Sequence, residues 1–242
     1  MLSKTIWING AWHMPNKMKL EHLNDSAVRP LPGYLGKRYA GWYSGHYQEN
    51  KSWYQNLATF GQHPRAMIIS CCDSRVNAMS LFGGEDGDFF IHRNIANLIP
   101  PFNPNGDHHG TSAAIEFAVT VLKVSHLIVL GHSGCGGIKT GYHACNGTVD
   151  EAYKQSNFIA KWLAILTPAF EDGAKLKDDA ERIHDLEQRS IVHSLNNLCG
   201  FPFVKSAIDD GRLSIHGLWH DIGAGQLHSY DAKSGVFAHV ST

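Results

Sequence analysis

The sequence predicts an α/β protein, with a mostly parallel central β-sheet flanked by helices on both faces and an extended N-terminal arm. Three observations carry that expectation. Short apolar runs of buried-strand length alternate with amphipathic helical patterns, the order that builds a parallel sheet covered on both sides. Two of the runs end in dense polar stretches, Cys71-Cys72-Asp73-Ser74-Arg75 and Gly131-His132-Ser133-Gly134-Cys135-Gly136-Gly137, and α/β proteins build their sites at strand ends. The length of 242 residues and the apolar content of 43% are ample for one large core.

Taken in order, residues 1–32 are polar, contain Pro15, Pro30 and Pro32, and lack clear periodicity. They are expected to form an arm packed on a partner subunit rather than a unit folded alone, with 33–242 as a single domain. Over 48–60, Trp53, Leu57 and Phe60 fall at helical spacing and Gly61 is placed to end the helix. Runs at 66–70, 89–91 and 126–130 read as buried strands. Between the second and third, 111–123 reads as a helix capped by Thr111 or Ser112, with Ala114, Ile115, Ala118, Val119 and Leu122 on its apolar face. Longer helical patterns follow at 151–166 and 178–198. The chain closes on runs at 212–222 and 226–230 separated by Gly223-Ala224-Gly225, a hairpin whose first arm joins the sheet edge or extends the sheet across a dimer.

A net charge of −1 gives no bulk-charge reason for a nucleic-acid or anionic-membrane partner. Five cysteines, two of them adjacent, form no disulfide framework and suit a reducing compartment with some thiols serving as ligands. No stretch approaches the ~20 apolar residues that span a bilayer. The first residues hold no signal-peptide core, and arginine is absent before Arg29. The expected address is the cytoplasm.

Together the two polar stretches offer two thiolates and one imidazole, a three-ligand set that leaves one position of a tetrahedral zinc open for chemistry. His132 and Cys135 have the i, i+3 spacing that a glycine-rich strand-to-helix turn can present to one metal. On an extended backbone, Asp73 and Arg75 would point to the same side. The carboxylate could accept a hydrogen bond from metal-bound water while Arg75 keeps it ionised, or it could ligate zinc directly and close the fourth position.

Cys71-x-Asp73-Ser74-Arg75 followed by Gly131-His132-Ser133-x-Cys135-Gly136-Gly137 resembles the β-class carbonic anhydrases. The likeness extends to Gln62, to His92-Arg93-Asn94-Ile95-Ala96-Asn97-Leu98 and to Gly110-Thr111-Ser112-Ala113-Ala114-Ile115-Glu116-Phe117-Ala118, and covers about Tyr39 to Tyr230. It implies that 33–242 is a zinc catalytic domain holding one Zn2+ per subunit through Cys71, His132 and Cys135. Asp73 and Arg75 become the catalytic dyad that orients a zinc-bound hydroxide toward CO2, yielding bicarbonate and a proton. Gln62, Phe90, Ile95, Phe117 and Gly136 match positions that bind substrate, some of them supplied across a homodimer or homotetramer interface. Ile68 stands where the bicarbonate-inhibited branch carries Trp, which points to an open site at neutral pH. Cys72 stands where a small Ser or Ala is usual and places a thiol beside the site. Phe117 stands where many relatives carry Tyr.

Other readings stand beside this one. A relative of the same fold could hydrolyse carbonyl sulfide or carbon disulfide, or the chain could be a zinc sensor without turnover; the retained Asp73, Arg75 and Gln62 speak against the sensor. The glycine-rich turn lacks the order of a nucleotide-binding loop. Among the sixteen histidines, His92, His108 and His109 are candidate proton relays, against the simpler expectation of surface or satisfied imidazoles. Cys145 and Cys199 read as buried small residues, and Trp42, Tyr43, Tyr47, Trp53 and Tyr54 as packing or interface.

Overall fold

A computed structural model describes residues 6–8, 11–13, 28–172, 176 and 178–241. Most of the expected arm therefore lies outside the described residues. The chain divides into two compact units, Met1–Gly61 and Gln62–Thr242. In the first, β1 (Ile6–Ile8) and β2 (Ala11–His13) pair antiparallel. Helix α1 (Gly33–Trp42) runs through a π-helical turn, Tyr43–Tyr47, toward α2 (Lys51–Phe60), which ends at Gly61 as its spacing predicts. The aromatic residues here pack on one another: Tyr43 stacks on Tyr47 at 5.2 Å between ring centroids, and Trp42 meets Tyr54 edge-on at 5.6 Å.

The second unit is built on β3 (Ala66–Cys71), β4 (Phe89–Asn94), β5 (His126–His132), β6 (Ser214–Asp221), β7 (Gln226–Asp231) and β8 (Val236–His239). They form one sheet in the order β4-β3-β5-β6-β7-β8. The first four are parallel, and β7 and β8 add antiparallel neighbours. The expected strand at 212–222 is thus interior: β6 pairs with β5 along seven residues, and β8, which the sequence patterning does not reveal, takes the edge. The chain leaves β3 toward β4 on one side and β5 toward β6 on the other. The ends of β3 and β5 therefore flank the point where strand order reverses, the usual crevice of an open α/β sheet.

Strand β3 is buried at every residue, because both faces of the sheet are covered. Met67 and Ile69 join Leu127 and Val129 on the face packed by Ile115, Ile191 and Leu198. Ile68 and Leu130 join Val76 and Ala78 on the other. Helix α3 (Ala78–Phe82) covers the second face. Helices α4 (His109–Glu116), α9 (Asp179–Cys199) and α10 (Pro202–Asp209) cover the first. Asp178 caps α9 by accepting the Ala180 N–H, and Asp179 and Glu181 complement the helix dipole in its first turn. Helix α9 lies close to the sheet because Gly131 and Gly217 face Ile191; a Cβ on either would come within 3.0 Å of that side chain.

Two expected helices differ in detail. Helix α4 begins at His109, so Thr111 and Ser112 lie inside it, and it continues as a π-helical turn, Phe117–Val121. Thr111 Oγ1 faces inward to His92 Nε2 at 3.0 Å instead of capping. The pattern at 151–166 breaks into α6 (Glu151–Lys154), α7 (Ile159–Leu163) and a 3₁₀ turn leading into α8 (Thr167–Glu171). At the break Ser156 Oγ accepts the Ala160 N–H in the first turn of the new helix. Cys199 is exposed rather than buried, and Cys145 is half-buried.

Candidate active site

Cys71 is the last residue of β3, His132 the last of β5, and Cys135 immediately precedes α5 (Gly136–Cys145). Parallel pairing of β3 with β5 brings both strand ends to one level, and the turn 133–135 folds Cys135 back onto them. Their ligating atoms lie within 4.8 Å of one another, and all three residues are buried.

The donor set fits a zinc ion on three counts. Cys71 Sγ and Cys135 Sγ are 3.9 Å apart, close to the roughly 3.8 Å expected of two thiolates 2.3 Å from a tetrahedral centre. His132 Nδ1 lies 3.0 Å from the Ser133 carbonyl, which sets the tautomer. His132 Nε2 is buried and has no hydrogen-bond partner among the described residues, the state of an imidazole nitrogen reserved for a metal. The electrostatics agree. Hydrogen bonding from Cys135 first, then the neighbouring His132 imidazole and the backbone N–H groups of Asp73 and Ala96, draw the Cys71 thiol far below its ordinary range. The charge on Cys71, with burial, pushes Cys135 up. Cys71 is thus the favoured thiolate of the pair. Burial alone disfavours a charged His132, but Cys71, the Ser133 carbonyl and Asp73 outweigh it and raise the imidazole.

Asp73 does not belong to the cluster. Arg75 donates from Nε to Asp73 Oδ1 at 3.0 Å and from Nη2 to Oδ2 at 2.7 Å, and its own backbone N–H adds a bond to Oδ1 at 3.0 Å. The two residues meet around a turn, closed by the Val76 N–H on the Asp73 carbonyl, rather than along extended backbone. The guanidinium holds the Asp73 carboxyl well below the usual carboxylate range. Nη2 also reaches the Gly134 carbonyl at 2.9 Å, tying the end of β3 to the turn after β5. Arg93 secures the same corner by donating to the carbonyls of Cys71 and Asp73.

The remaining expected residues are distributed around this centre. Gly136 begins α5 directly after Cys135. Ile95 shares with Gly136 a cleft of about 390 Å³, and with Cys72 and His92 a second of about 670 Å³. His108 and His109 line the larger cleft as well. Phe90 and Phe117 touch each other at 5.8 Å between centroids, and Gln62 is exposed. Ile95 and Phe117 stay 45% and 43% exposed in the single chain, so neither closes a pocket alone.

Two features escaped sequence reasoning. Ala96 and Asn97 adopt positive φ angles of 62° and 48°, a strained turn that directs the Ala96 N–H at Cys71; the asparagine of a Ala-Asn pair tolerates that region, but no local signal marks it. Glu187 on α9 is 3% exposed and its Oε1 accepts the Cys135 N–H at 3.1 Å. Nothing near it in the sequence pointed there, because the contact joins residues remote in the chain.

An α/β sheet carrying a three-donor Cys-His-Cys centre at its switch point defines a class of metal-dependent enzyme, and comparison with known proteins identifies the family. The carbonic anhydrase family model matches residues 66–227. The chain is 34% identical over 213 residues to beta carbonic anhydrase 3 of Arabidopsis thaliana, covering 86% of this chain and 78% of the relative. Its fold is similar to the solved β-carbonic anhydrase CcaA, with a TM-score of 0.77 at 28% identity over 86% of this chain and 98% of the other. It is also similar to a tetrameric β-carbonic anhydrase of Sordaria macrospora, with a TM-score of 0.69 at 31% identity over 81% and 95%. The chain belongs to the β-class carbonic anhydrases.

Proposed function

We propose that this chain is a zinc-dependent carbonic anhydrase that interconverts carbon dioxide with bicarbonate and a proton. One observation carries the reading: among the described residues three convergent donors, not four, stand beside a carboxylate that is held by Arg75 and lies outside the cluster. A structural zinc site would take all four donors from the protein. Zinc, when bound one per subunit through Cys71, His132 and Cys135, supplies a nucleophile from water at neutral pH.

The chain's own residues do the rest. Arg75 keeps Asp73 ionised and occupies both lone pairs of Oδ1 and one of Oδ2. The remaining Oδ2 lone pair is the acceptor that orients the attacking group's proton away from the substrate carbon. Gln62 and the Gly136 N–H serve as donors to substrate oxygen, and Phe90, Ile95 and Phe117 form the dry walls of a slot for a linear apolar gas. Retention of Asp73 by Arg75 corresponds to an open site at neutral pH.

A homodimer or homotetramer completes the slot. The half-open Ile95 and Phe117 support this, as does the similar tetrameric enzyme. In that assembly 33–242 is the catalytic domain and the arm 1–32 packs on a partner. Among the described residues no helix is long and apolar enough to cross a membrane; the proposed address is the cytoplasm.

Stopped-flow hydration assays from about pH 6.5 to 9, on protein of measured zinc content and beside its chelated form, test the reading. Zinc-dependent CO2 hydration is the expected result. Zinc-replete protein that turns over carbonyl sulfide or carbon disulfide but not CO2, or none of the three, overturns it.

A further inference from the structure

Glu187 is a carboxylate with 3% of its surface exposed, set behind the metal centre on α9 and outside the ligand cluster. A buried carboxylate carries a large desolvation cost unless it is hydrogen-bonded, so its partner identifies its task. Oε1 accepts the N–H of Cys135 at 3.1 Å. Oε2 lies 3.7 Å from His184 Nδ1, and the His184 ring is set edge-on to buried Trp219 at 4.9 Å between centroids.

The Cys135 N–H belongs to the same peptide unit as the Gly134 carbonyl, and that carbonyl accepts Arg75 Nη2 at 2.9 Å. One rigid plane is therefore gripped on its N–H edge by Glu187 and on its C=O edge by Arg75. Gly134 has φ of +65°. Gly134 lacks a Cβ that would brace the following peptide, so the tilt of its plane depends on the two grips. Tilting it would draw the carbonyl away from Arg75 and shift the backbone that carries Cys135.

We propose that Glu187 is a positioning residue that locks the Gly134–Cys135 peptide and, through it, both the Cys135 ligand and the Arg75–Asp73 pair. The role needs an acceptor at the reach of Glu187 Oε1. The inference rests on the zinc reading above and adds to it a residue remote in sequence from both motifs.

The experiment compares zinc-loaded parent with Glu187→Gln, Glu187→Asp and Glu187→Leu. It measures zinc release to a chelator, kcat and KM for CO2, and thermal unfolding. Glu187→Gln keeps the acceptor and should stay within a few-fold of the parent in release and kcat. Glu187→Asp keeps the charge but falls short of the N–H, and Glu187→Leu removes the acceptor. Both should release zinc about 10–100-fold faster, the usual effect of losing a group that supports a metal ligand, and should lower kcat more than they raise KM. Folded Glu187→Asp with parental release and kcat overturns the proposal, as does Glu187→Gln as impaired as Glu187→Leu. If Glu187→Leu fails to fold, Glu187→Asp decides. Zinc release is read without turnover, so a parent that binds zinc but hydrates no CO2 would defeat the proposed function and leave this comparison intact.

Discussion

Glu187 and Arg75 hold opposite edges of a single peptide plane: Oε1 of one accepts the Cys135 N–H at 3.1 Å, and Nη2 of the other donates to the Gly134 carbonyl at 2.9 Å. One residue comes from a long helix and the other from the turn after β3, so the metal-ligand turn is clamped between layers of the fold.

Arg75 makes this clamp with a planar fork that lysine lacks. Arg75→Lys is expected to keep zinc, because no ligand is lost, and to lower kcat about 10–100-fold through loss of the supporting contacts on Asp73 and Gly134. Metal analysis with stopped-flow CO2 hydration checks it. A variant with parental kcat would separate the Asp73 geometry from turnover.

Metal removal should destabilise the fold. The buried, unpartnered His132 Nε2 and the two thiols are arranged for a cation. Free zinc at a thousandfold above its Kd contributes about 4 kcal/mol. Chelation should lower the unfolding midpoint, and His132→Ala should shrink the difference between loaded and chelated protein. Calorimetry of both forms provides the measurement.

Among the described residues, four histidines that are not ligands bear on pH. Burial lowers His92, His193, His216 and His220 below the ordinary histidine range, with His126 also disfavouring charge on His216 and His132 on His220. Below about pH 6.5 the unfolded chain therefore binds more protons than the folded one, and stability falls with pH through that window until the folded groups also titrate. The unfolding midpoint is expected to drop between pH 7.5 and 5.5. His193→Gln should flatten the drop, which thermal scans across that range would reveal.

Gly217→Ala tests the packing of α9 on the sheet. The new methyl would meet Ile191 Cγ2 at 2.9 Å, Leu195 Cδ1 at 3.0 Å and Tyr230 Cβ at 3.3 Å. The cost should be about 1–3 kcal/mol, read as a lower denaturation midpoint with an unchanged slope.

Local pattern was enough to place the ligand set at strand ends, because Cys71 and His132 close apolar runs whose length and burial define β3 and β5. The same reasoning marked α9 from the helical pattern over 178–198. It misplaced the start of α4, since Thr111 is drawn inward by His92, and it joined α6 to α7, where the helix stops and Ser156 Oγ takes the Ala160 N–H of the next one. The apolar run of β6 reads alike at an edge or inside a sheet; pairing with β5 on one side and β7 on the other decided its place.

What the sequence determined by itself is the identity of the donors, the thiols and imidazole whose chemistry suits zinc, and the α/β order that carries them. Tertiary structure alone decided how they are held: Arg75 on Asp73, Ala96 in a left-handed turn beside Cys71, and Glu187 behind Cys135. Residue type and spacing report what a side chain can do and which local element it favours. A hydrogen bond between α9 and the turn after β5 depends on two segments folding onto a shared sheet, and no local pattern along the chain encodes that meeting.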